Sequence, residues 1–283
     1  MRLLQSIDPT KIGSFFPKRD ANTHKGNYGR ILLLCGSRGY TGAAALAAMG
    51  ALRCGAGVVY LGVPNSIYEI EAVKLLEPVV FPLPDATGMF SEQAIDPVLS
   101  MLAKMDAVLL GPGMGQSTGT RMLVQAVLKH AKCPVVLDAD GINVLSGHID
   151  ILRDRTAPTI LTPHDGEFVR IGGQAATDRC EAASALADEL GCIVLLKGHR
   201  TIITDGSSGY INQTGNPGMA TGGSGDVLAG IIVSLLGQGI APLQAAACGA
   251  WLHGYAGDVC AKEIGEYGML PQDMLNVLPR LLP

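Results

Sequence analysis

The chain has 283 residues, of which 48% are hydrophobic and 16% charged, with a formal net charge of −4. That composition excludes a disordered chain, and an acidic balance without any basic run excludes a nucleic-acid binder. No apolar run reaches the roughly 18 residues of a membrane span, and Met1 to Gln5 carry no signal-peptide core, so a soluble, cytoplasmic protein without membrane association is expected.

After a polar segment ending near Gly29, short runs rich in leucine and β-branched residues alternate with longer helical patterns. The first strand is predicted at 31–35, followed by a helix over 42–53 and a strand at 58–63. A helix over 92–104 leads to a strand at 107–110, and a helix over 118–132 leads to strands at 134–138 and 160–162. A helix over 179–190 precedes a strand at 193–197. Asp205-Gly206-Ser207-Ser208 then joins 200–204 and 209–212 as a hairpin. The last third is helical, over 225–236 and 241–262. Continuous apolar strands separated by helices predict a parallel sheet covered on both faces. No linker, charge block or repeat interrupts the chain, and 1–283 reads as one domain.

Seven cysteines, at 35, 54, 133, 180, 192, 248 and 260, are odd in number and form no C-x-x-C pair. A zinc site and a disulfide framework are therefore not expected, and most of these thiols read as core filler. Ala245-Ala246-Ala247-Cys248-Gly249-Ala250 is a small-residue surface. It serves close helix approach, either onto the sheet or between copies of the chain.

The most informative stretch is Asn216-Pro217-Gly218-Met219-Ala220-Thr221-Gly222-Gly223-Ser224-Gly225-Asp226, which runs directly into an apolar helix. Glycines packed just before a helix let backbone amides approach a ligand, and the helix start adds unpaired donors and partial positive charge. That combination makes an anion site. Asp226 at its mouth either caps the helix or takes a proton from a group attacking the bound anion.

Ligand-binding turns in an open α/β sheet lie past the carboxyl ends of the strands. There the chain places Gly111-Pro112-Gly113, Asp138-Ala139-Asp140, Thr162-Pro163-His164-Asp165-Gly166-Glu167 and Lys197-Gly198-His199-Arg200-Thr201. Neither Gly36-Ser37-Arg38-Gly39-Tyr40-Thr41-Gly42 nor the Gly111 turn matches a P-loop or a dinucleotide fingerprint. Asp138 and Asp140 either organise a magnesium ion through water or cap the next helix. His164, in a punctuated turn beside Glu167, reads as functional, while His24, His130, His148 and His253 have no assigned role. Lys197 closes a buried strand and needs an anionic partner, either a bound phosphate or a strand-end carboxylate.

His24-Lys25-Gly26-x-Tyr28-Gly29, Gly111-Pro112-Gly113, Asp138-Ala139-Asp140, Thr162-Pro163-His164-x-Gly166-Glu167, Lys197-Gly198-x-x-Thr201 and Asn216-Pro217-Gly218-x-Ala220-x-Gly222-Gly223-Ser224-Gly225-Asp226 occur in that order. Together they resemble the ADP-dependent NAD(P)H-hydrate dehydratases of the ribokinase-like superfamily, over nearly the whole chain. The full set is specific, whereas G-G-x-G-D alone indicates only the superfamily. The resemblance implies a three-layer α/β/α fold with a mostly parallel central sheet. It implies dehydration of the S-form of NADHX and NADPHX to NADH and NADPH, with ADP (or ATP) as co-substrate, Mg2+ as cofactor, and AMP and phosphate as products.

By the same resemblance Asp226 is the catalytic base, and Ala43, Gly113, His164 and Asp226 hold the hydrate. Lys197, Gly198, His199, Arg200, Thr201, Asn216, Gly222, Gly223, Ser224 and Gly225 hold the adenine nucleotide. A homotetramer is implied as well, as is a separate epimerase acting on the same substrate, with residues 1–20 an N-terminal extension rather than an epimerase domain. Two positions depart from the pattern: Asp165 stands where proline is usual and Ser224 where threonine is common. Asp165 is expected to add negative charge beside an anionic substrate and weaken its binding. Two other classes stay open, an ATP-dependent small-molecule kinase such as a hydroxyethylthiazole kinase, and a non-catalytic nucleotide sensor. The His164 turn and Gly111-Pro112-Gly113 count against the first, and Asp226 against the second.

Overall fold

A computed structural model describes residues 4–16, 18–175 and 177–283. The strands are β1 (Gln5–Ser6), β2 (Arg30–Leu34), β3 (Val58–Pro64), β4 (Val79–Leu83), β5 (Asp85–Ala86), β6 (Met89–Phe90), β7 (Ala107–Leu110), β8 (Val135–Leu137), β9 (Thr159–Leu161), β10 (Ile193–Leu196), β11 (Ile202–Thr204) and β12 (Gly209–Ile211). All but the β5–β6 hairpin join one sheet in the order β1-β12-β11-β10-β9-β8-β7-β2-β3-β4. Pairing is parallel throughout except at β10–β11 and β11–β12, where the predicted hairpin turns the chain back. Of the N-terminal segment, Gln5 and Ser6 add an edge strand beside β12 and Ile12 is buried, whereas residues 1–3 and 17 lie outside the described residues.

The helices are α1 (Pro9–Ile12), α2 (Thr41–Arg53), α3 (Tyr68–Lys74), α4 (Ile95–Leu102), α5 (Thr118–His130), α6 (Asp140–Asn143), α7 (Asp165–Arg170), α8 (Arg179–Leu190), α9 (Ser224–Gly237), α10 (Pro242–Ile264) and α11 (Pro271–Val277). One layer, with α2, α9, α10 and α11, packs on Ile31, Leu33, Leu109, Val136, Ile160 and Leu195. The other, with α4, α5 and α8, packs on Leu32, Leu34, Val108, Leu110, Leu137, Leu161 and Val194. Successive strand residues point to opposite faces, so a strand buried on both sides must be apolar at every position. This accounts for the unbroken Ile31-Leu32-Leu33-Leu34 run and gives the expected three-layer α/β/α architecture.

Helix α9 is apolar nearly all round because it is central, with 11 of its 14 residues buried. It meets α2 backbone to backbone. A Cβ on Gly230 would stand 2.1 Å from the Ala47 carbonyl oxygen, and one on Gly50 would stand 2.7 Å from that of Val227. The small-residue stripe of α10 is likewise spent inside the chain. Residues 245–250 are all buried, and a Cβ on Gly249 would stand 2.6 Å from Ile232 Cγ1. Of the two uses open for that stripe, packing within the chain is the one observed, so it is not an assembly surface.

Several boundaries differ from the predicted ones for local reasons. Asp138 and Lys197 leave the strands and begin the turns after them. Residues 92–94 form a 3₁₀ turn before α4. The His24-Lys25-Gly26 motif forms a 3₁₀ turn (Lys25–Tyr28) at the amino-terminal edge of the sheet, away from the predicted site. A Cβ on Gly57 would stand 1.8 Å from the Lys25 carbonyl oxygen, so that motif serves close packing against the start of β3.

Candidate active site

The strand order reverses between β2 and β7, and a crevice opens past the carboxyl ends of the strands at such a point. The turn after β7 enters it through Gly111 at φ +132° and Gly113 at φ +63°. A Cβ on Gly111 would stand 1.7 Å from the Asp138 carbonyl oxygen, and one on Gly113 would stand 2.9 Å from Ala43 Cβ. Only glycine fits either position. Ala43 and Gly113, predicted to hold one ligand, are therefore neighbours, and Tyr40 lies against the same glycine.

The Gly222–Asp226 segment forms the start of α9, with Gly223 in a left-handed conformation at φ +95° as its N-cap. The glycines differ in where a side chain would go. At Gly225 a Cβ would lie 3.5 Å from Lys197 Nζ and 3.9 Å from Asp138 Oδ2, inside a charged cradle. At Gly222 it would meet nothing within 4 Å, whereas at Gly223 it would stand 2.5 Å from Leu46 Cδ1. Gly223 thus serves the fit of α9 against α2 as well as the loop. A β-branched residue there would press on Leu46 and strain a backbone held at φ +95°.

Behind the cradle, Ser224 Oγ is 3.2 Å from Nε2 of His253 on α10. Burial pushes the His253 imidazole down to about 4, so it is neutral at physiological pH. Asn216 accepts from the Gly218 amide at 3.0 Å and donates to Asp258 Oδ1 at 3.0 Å, while Asp258 Oδ2 accepts from the Gly215 amide at 2.9 Å. The glycine-rich segment is thus anchored to α10 at two places.

In front of the cradle lies a cluster of charges. Lys197 donates to Asp138 Oδ1 at 2.8 Å and stands 3.8 Å from Glu167 Oε2. Thr162 Oγ1 donates to the same Asp138 oxygen at 2.8 Å. Burial works against the Lys197 ammonium, but Asp138 and Glu167 outweigh it and raise its pKa. The strand-end carboxylate is thus a partner of Lys197. Asp226 shares this environment: burial first, then the charges of Asp138 and Asp140, push its carboxyl up to about 6 against the pull of Lys197. The N-cap of α9 is Gly223 rather than Asp226, and of the two readings of Asp226 the proton acceptor is the one that its pKa suits.

His164 caps α7. Its Nδ1 accepts from the amides of Gly166 and Glu167 at 3.0 and 3.3 Å, and its own amide donates to Glu167 Oε2 at 2.9 Å. Its Nε2 stands 3.4 Å from Glu167 Oε1, and the side chain is 57% exposed, so the ring edge meets both that carboxylate and solvent. Asp140 is held by the Gly115 amide at 2.9 Å and by Gln116 Nε2 at 3.1 Å. Ala139 between the two aspartates sits at φ +46°, a strained conformation for a non-glycine residue. Among the described residues no three His, Cys, Asp or Glu side chains form a metal-holding group. Asp138 Oδ2, facing the cradle, is the oxygen that suits magnesium, which takes one or two carboxylates together with phosphates.

Asp165 does not face a ligand with a free charge. Arg179 donates to its Oδ1 at 2.9 Å, so the expected repulsion is offset by an ion pair. A cavity of about 530 Å3, lined in part by Arg179, Cys180, His199, Arg200 and Ile202, adjoins the loop after β10. Sequence reasoning did not single out Arg179, His253 or Asp258. Each acts from a helix through a tertiary contact, and no local pattern signals such a role.

The sequence profile of the NAD(P)H-hydrate dehydratase family matches residues 31–280. The chain belongs to this family. It is 46% identical over 276 residues to the bifunctional NAD(P)H-hydrate repair enzyme of Moorella thermoacetica, covering 95% of this chain and 52% of that protein. It therefore spans about half the length of that relative. To the ADP-dependent (S)-NAD(P)H-hydrate dehydratase of Bacillus subtilis it is 36% identical over 278 residues, 95% of each chain. The crystal structure of the B. subtilis ADP/ATP-dependent NAD(P)H-hydrate dehydratase grown with ATP and Mg2+ superposes with a TM-score of 0.83, at 31% identity, covering 98% of this chain and 97% of that one. A ribokinase-like superfamily protein of Enterococcus faecalis superposes with a TM-score of 0.86 at 26% identity, over 98% of this chain and 94% of that one. The ribokinase-like fold implied by the motifs is thereby shown. In this family frame, the turns after β7, β8, β9 and β10 and the start of α9 are the segments carrying the family's motifs.

Proposed function

We propose that this chain dehydrates the S-form of hydrated NADH and NADPH, using ADP as phosphoryl donor. The observation that carries the reading is Asp226, a carboxylate with a pKa pushed up to about 6, on the first turn of α9 beside a glycine cradle and the Lys197–Asp138 pair. The C6 hydroxyl of the hydrate is a poor leaving group. Asp226 accepts its proton as the oxygen attacks the β-phosphorus of ADP, and AMP departs. The ring nitrogen lone pair then expels phosphate, and loss of a proton from C5 restores the reduced nicotinamide. The amides of Gly222, Gly223 and Gly225 face the transferring phosphoryl group, where fixed donors stabilise charge most effectively. Lys197 to Thr201 with Asn216 and Ser224 hold the nucleotide, while Ala43, Gly113 and His164 hold the hydrate. Bound magnesium would neutralise phosphate charge, with Asp138 reached directly or through water.

The B. subtilis enzymes are named ADP-dependent and ADP/ATP-dependent, so ADP is the co-substrate of this reading and ATP the alternative donor. Appearance of AMP and phosphate in equal amounts from ADP and hydrated NADH tests the reading. ATP-dependent phosphorylation of simple alcohols without dehydration would instead make the chain a small-molecule kinase.

The same reading includes three wider features. An NAD(P)H-hydrate epimerase supplies the S-form from its epimer, in keeping with the bifunctional relatives. All seven cysteines are free, which suits a reducing cytoplasm, and no helix among the described residues is long and apolar enough to cross a membrane. A homotetramer belongs to the same reading; exposed Ile70, Val73, Leu76 and Val79 along the β4 edge of the sheet offer an apolar contact surface between copies, and light scattering at micromolar concentration tests the assembly.

A further inference from the structure

The loop 197–201 after β10 is held in a conformation the backbone does not favour. Gly198 lies at φ +149° and Arg200, a non-glycine residue, at φ +58°. Such a shape persists only where surrounding contacts impose it. The Lys197 amide is fixed by the Pro163 carbonyl at 2.8 Å, Thr201 Oγ1 donates to the Gly198 carbonyl at 3.0 Å, and a further holding group is Arg179, the first residue of α8. Its Nη2 donates to the Lys197 carbonyl at 2.8 Å and its Nη1 to the His199 carbonyl at 3.4 Å. Nη2 also meets Asp165 Oδ1 at 2.9 Å.

Two details show that loop and guanidinium are fitted to one another. A Cβ on Gly198 would stand 2.8 Å from Arg179 Nη2, so a side chain there would expel the arginine. Arg179 Nε is buried without a hydrogen-bond partner, so the fork is aimed at the loop at the expense of its own third edge. Asp165 belongs to α7, which also carries Glu167 beside the Lys197 ammonium. Arg179 thus grips the backbone of Lys197 while α7 approaches both its side chain and the arginine.

We propose that Arg179 is a positioning residue for the adenine nucleotide. It holds loop 197–201 in its receiving shape and, through Asp165, ties that loop to α7 on the hydrate side. The inference rests on the reading of loop 197–201 as part of the nucleotide site. A lysine cannot replace it fully, because one compact ammonium does not reproduce a planar fork that meets three acceptors.

The test combines ADP calorimetry with steady-state kinetics on the wild type, Arg179→Ala, Arg179→Lys and Asp165→Asn. In Arg179→Ala the Kd and KM for ADP rise roughly tenfold or more, with Arg179→Lys intermediate. Asp165→Asn raises them about two- to threefold, because that carboxylate is 73% exposed. The KM for the hydrate, and kcat at saturating ADP, stay within about twofold of wild type. Unchanged ADP affinity in Arg179→Ala overturns the proposal. So does a parallel loss of kcat and of both affinities that follows a fall in apo melting temperature and is fully restored by lysine. A wild-type chain that does not bind ADP overturns the nucleotide-site reading itself. Wild-type binding with equal binding in the variants overturns this inference alone.

Discussion

Asp226 is the residue on which chemistry and stability pull in opposite directions. Its pKa is raised from 3.8 to about 6, so the native state holds this proton more tightly than the unfolded chain does. Stability is therefore lost as pH rises through the window from 3.8 to about 6, and the ionised form needed for catalysis is the less stable one. Asp226→Asn is expected to stabilise the protein by about 1–3 kcal/mol above that window, with little difference below it, read by urea unfolding at several pH values. The same variant should lose about 100-fold or more in turnover while binding ADP normally. A variant that keeps near wild-type turnover would reduce Asp226 to a helix-end charge. Gly225 and Gly222 separate ligand contact from folding. Gly225→Ala places a methyl against Lys197 and Asp138, so the ADP-induced rise in melting temperature should shrink sharply with the apo value little changed. Gly222→Ala, whose methyl meets no protein atom within 4 Å, should likewise leave the apo value unchanged but reduce the ADP-induced rise, because that methyl would stand beside an amide facing the phosphoryl group.

At the scale of elements, the α2–α9 contact fixes where the anion site stands relative to Ala43. Both helices contribute glycine to that crossing, and overpacking a tight contact costs about 1–3 kcal/mol. Gly230→Ala should cost at least that in denaturant unfolding, because its methyl would stand 2.1 Å from the Ala47 carbonyl oxygen. Wild-type stability would mean that the helices separate readily. The long helices and the buried strands were legible because their apolar periodicities are sustained. The edge strand β4 was not, since it carries Pro82 and is only partly buried, as an edge strand tolerates. Helix α7 was hidden as well. Its six residues come after Pro163 and include Gly166, so they read as a turn, and only the His164–Glu167 capping box makes them helical. Asp226 and the glycine cradle could be read directly from spacing. His253, Asp258 and Arg179 could not, because each reaches the site from another helix and is surrounded in sequence by ordinary helical residues.

For the molecule as a whole, the strand order gathers these pieces. A single reversal between β2 and β7 puts the turns after β7, β8, β9 and β10 on the edge where α9 begins. The sequence could place those turns at strand ends, but which of them meet depends on sheet order, a tertiary property. The resulting site holds a carboxylate with a raised pKa, a paired lysine and a glycine cradle, which together suit transfer of a phosphoryl group to a hydroxyl. The most direct test is recovery of the dihydronicotinamide absorbance from purified S-form hydrated NADH. Wild-type protein with ADP and magnesium should restore it, with an acid limb in kcat/KM near pH 6, while Asp226→Asn should not. No recovery by wild-type protein with ADP or with ATP, under conditions where the nucleotide is bound, would contradict the account.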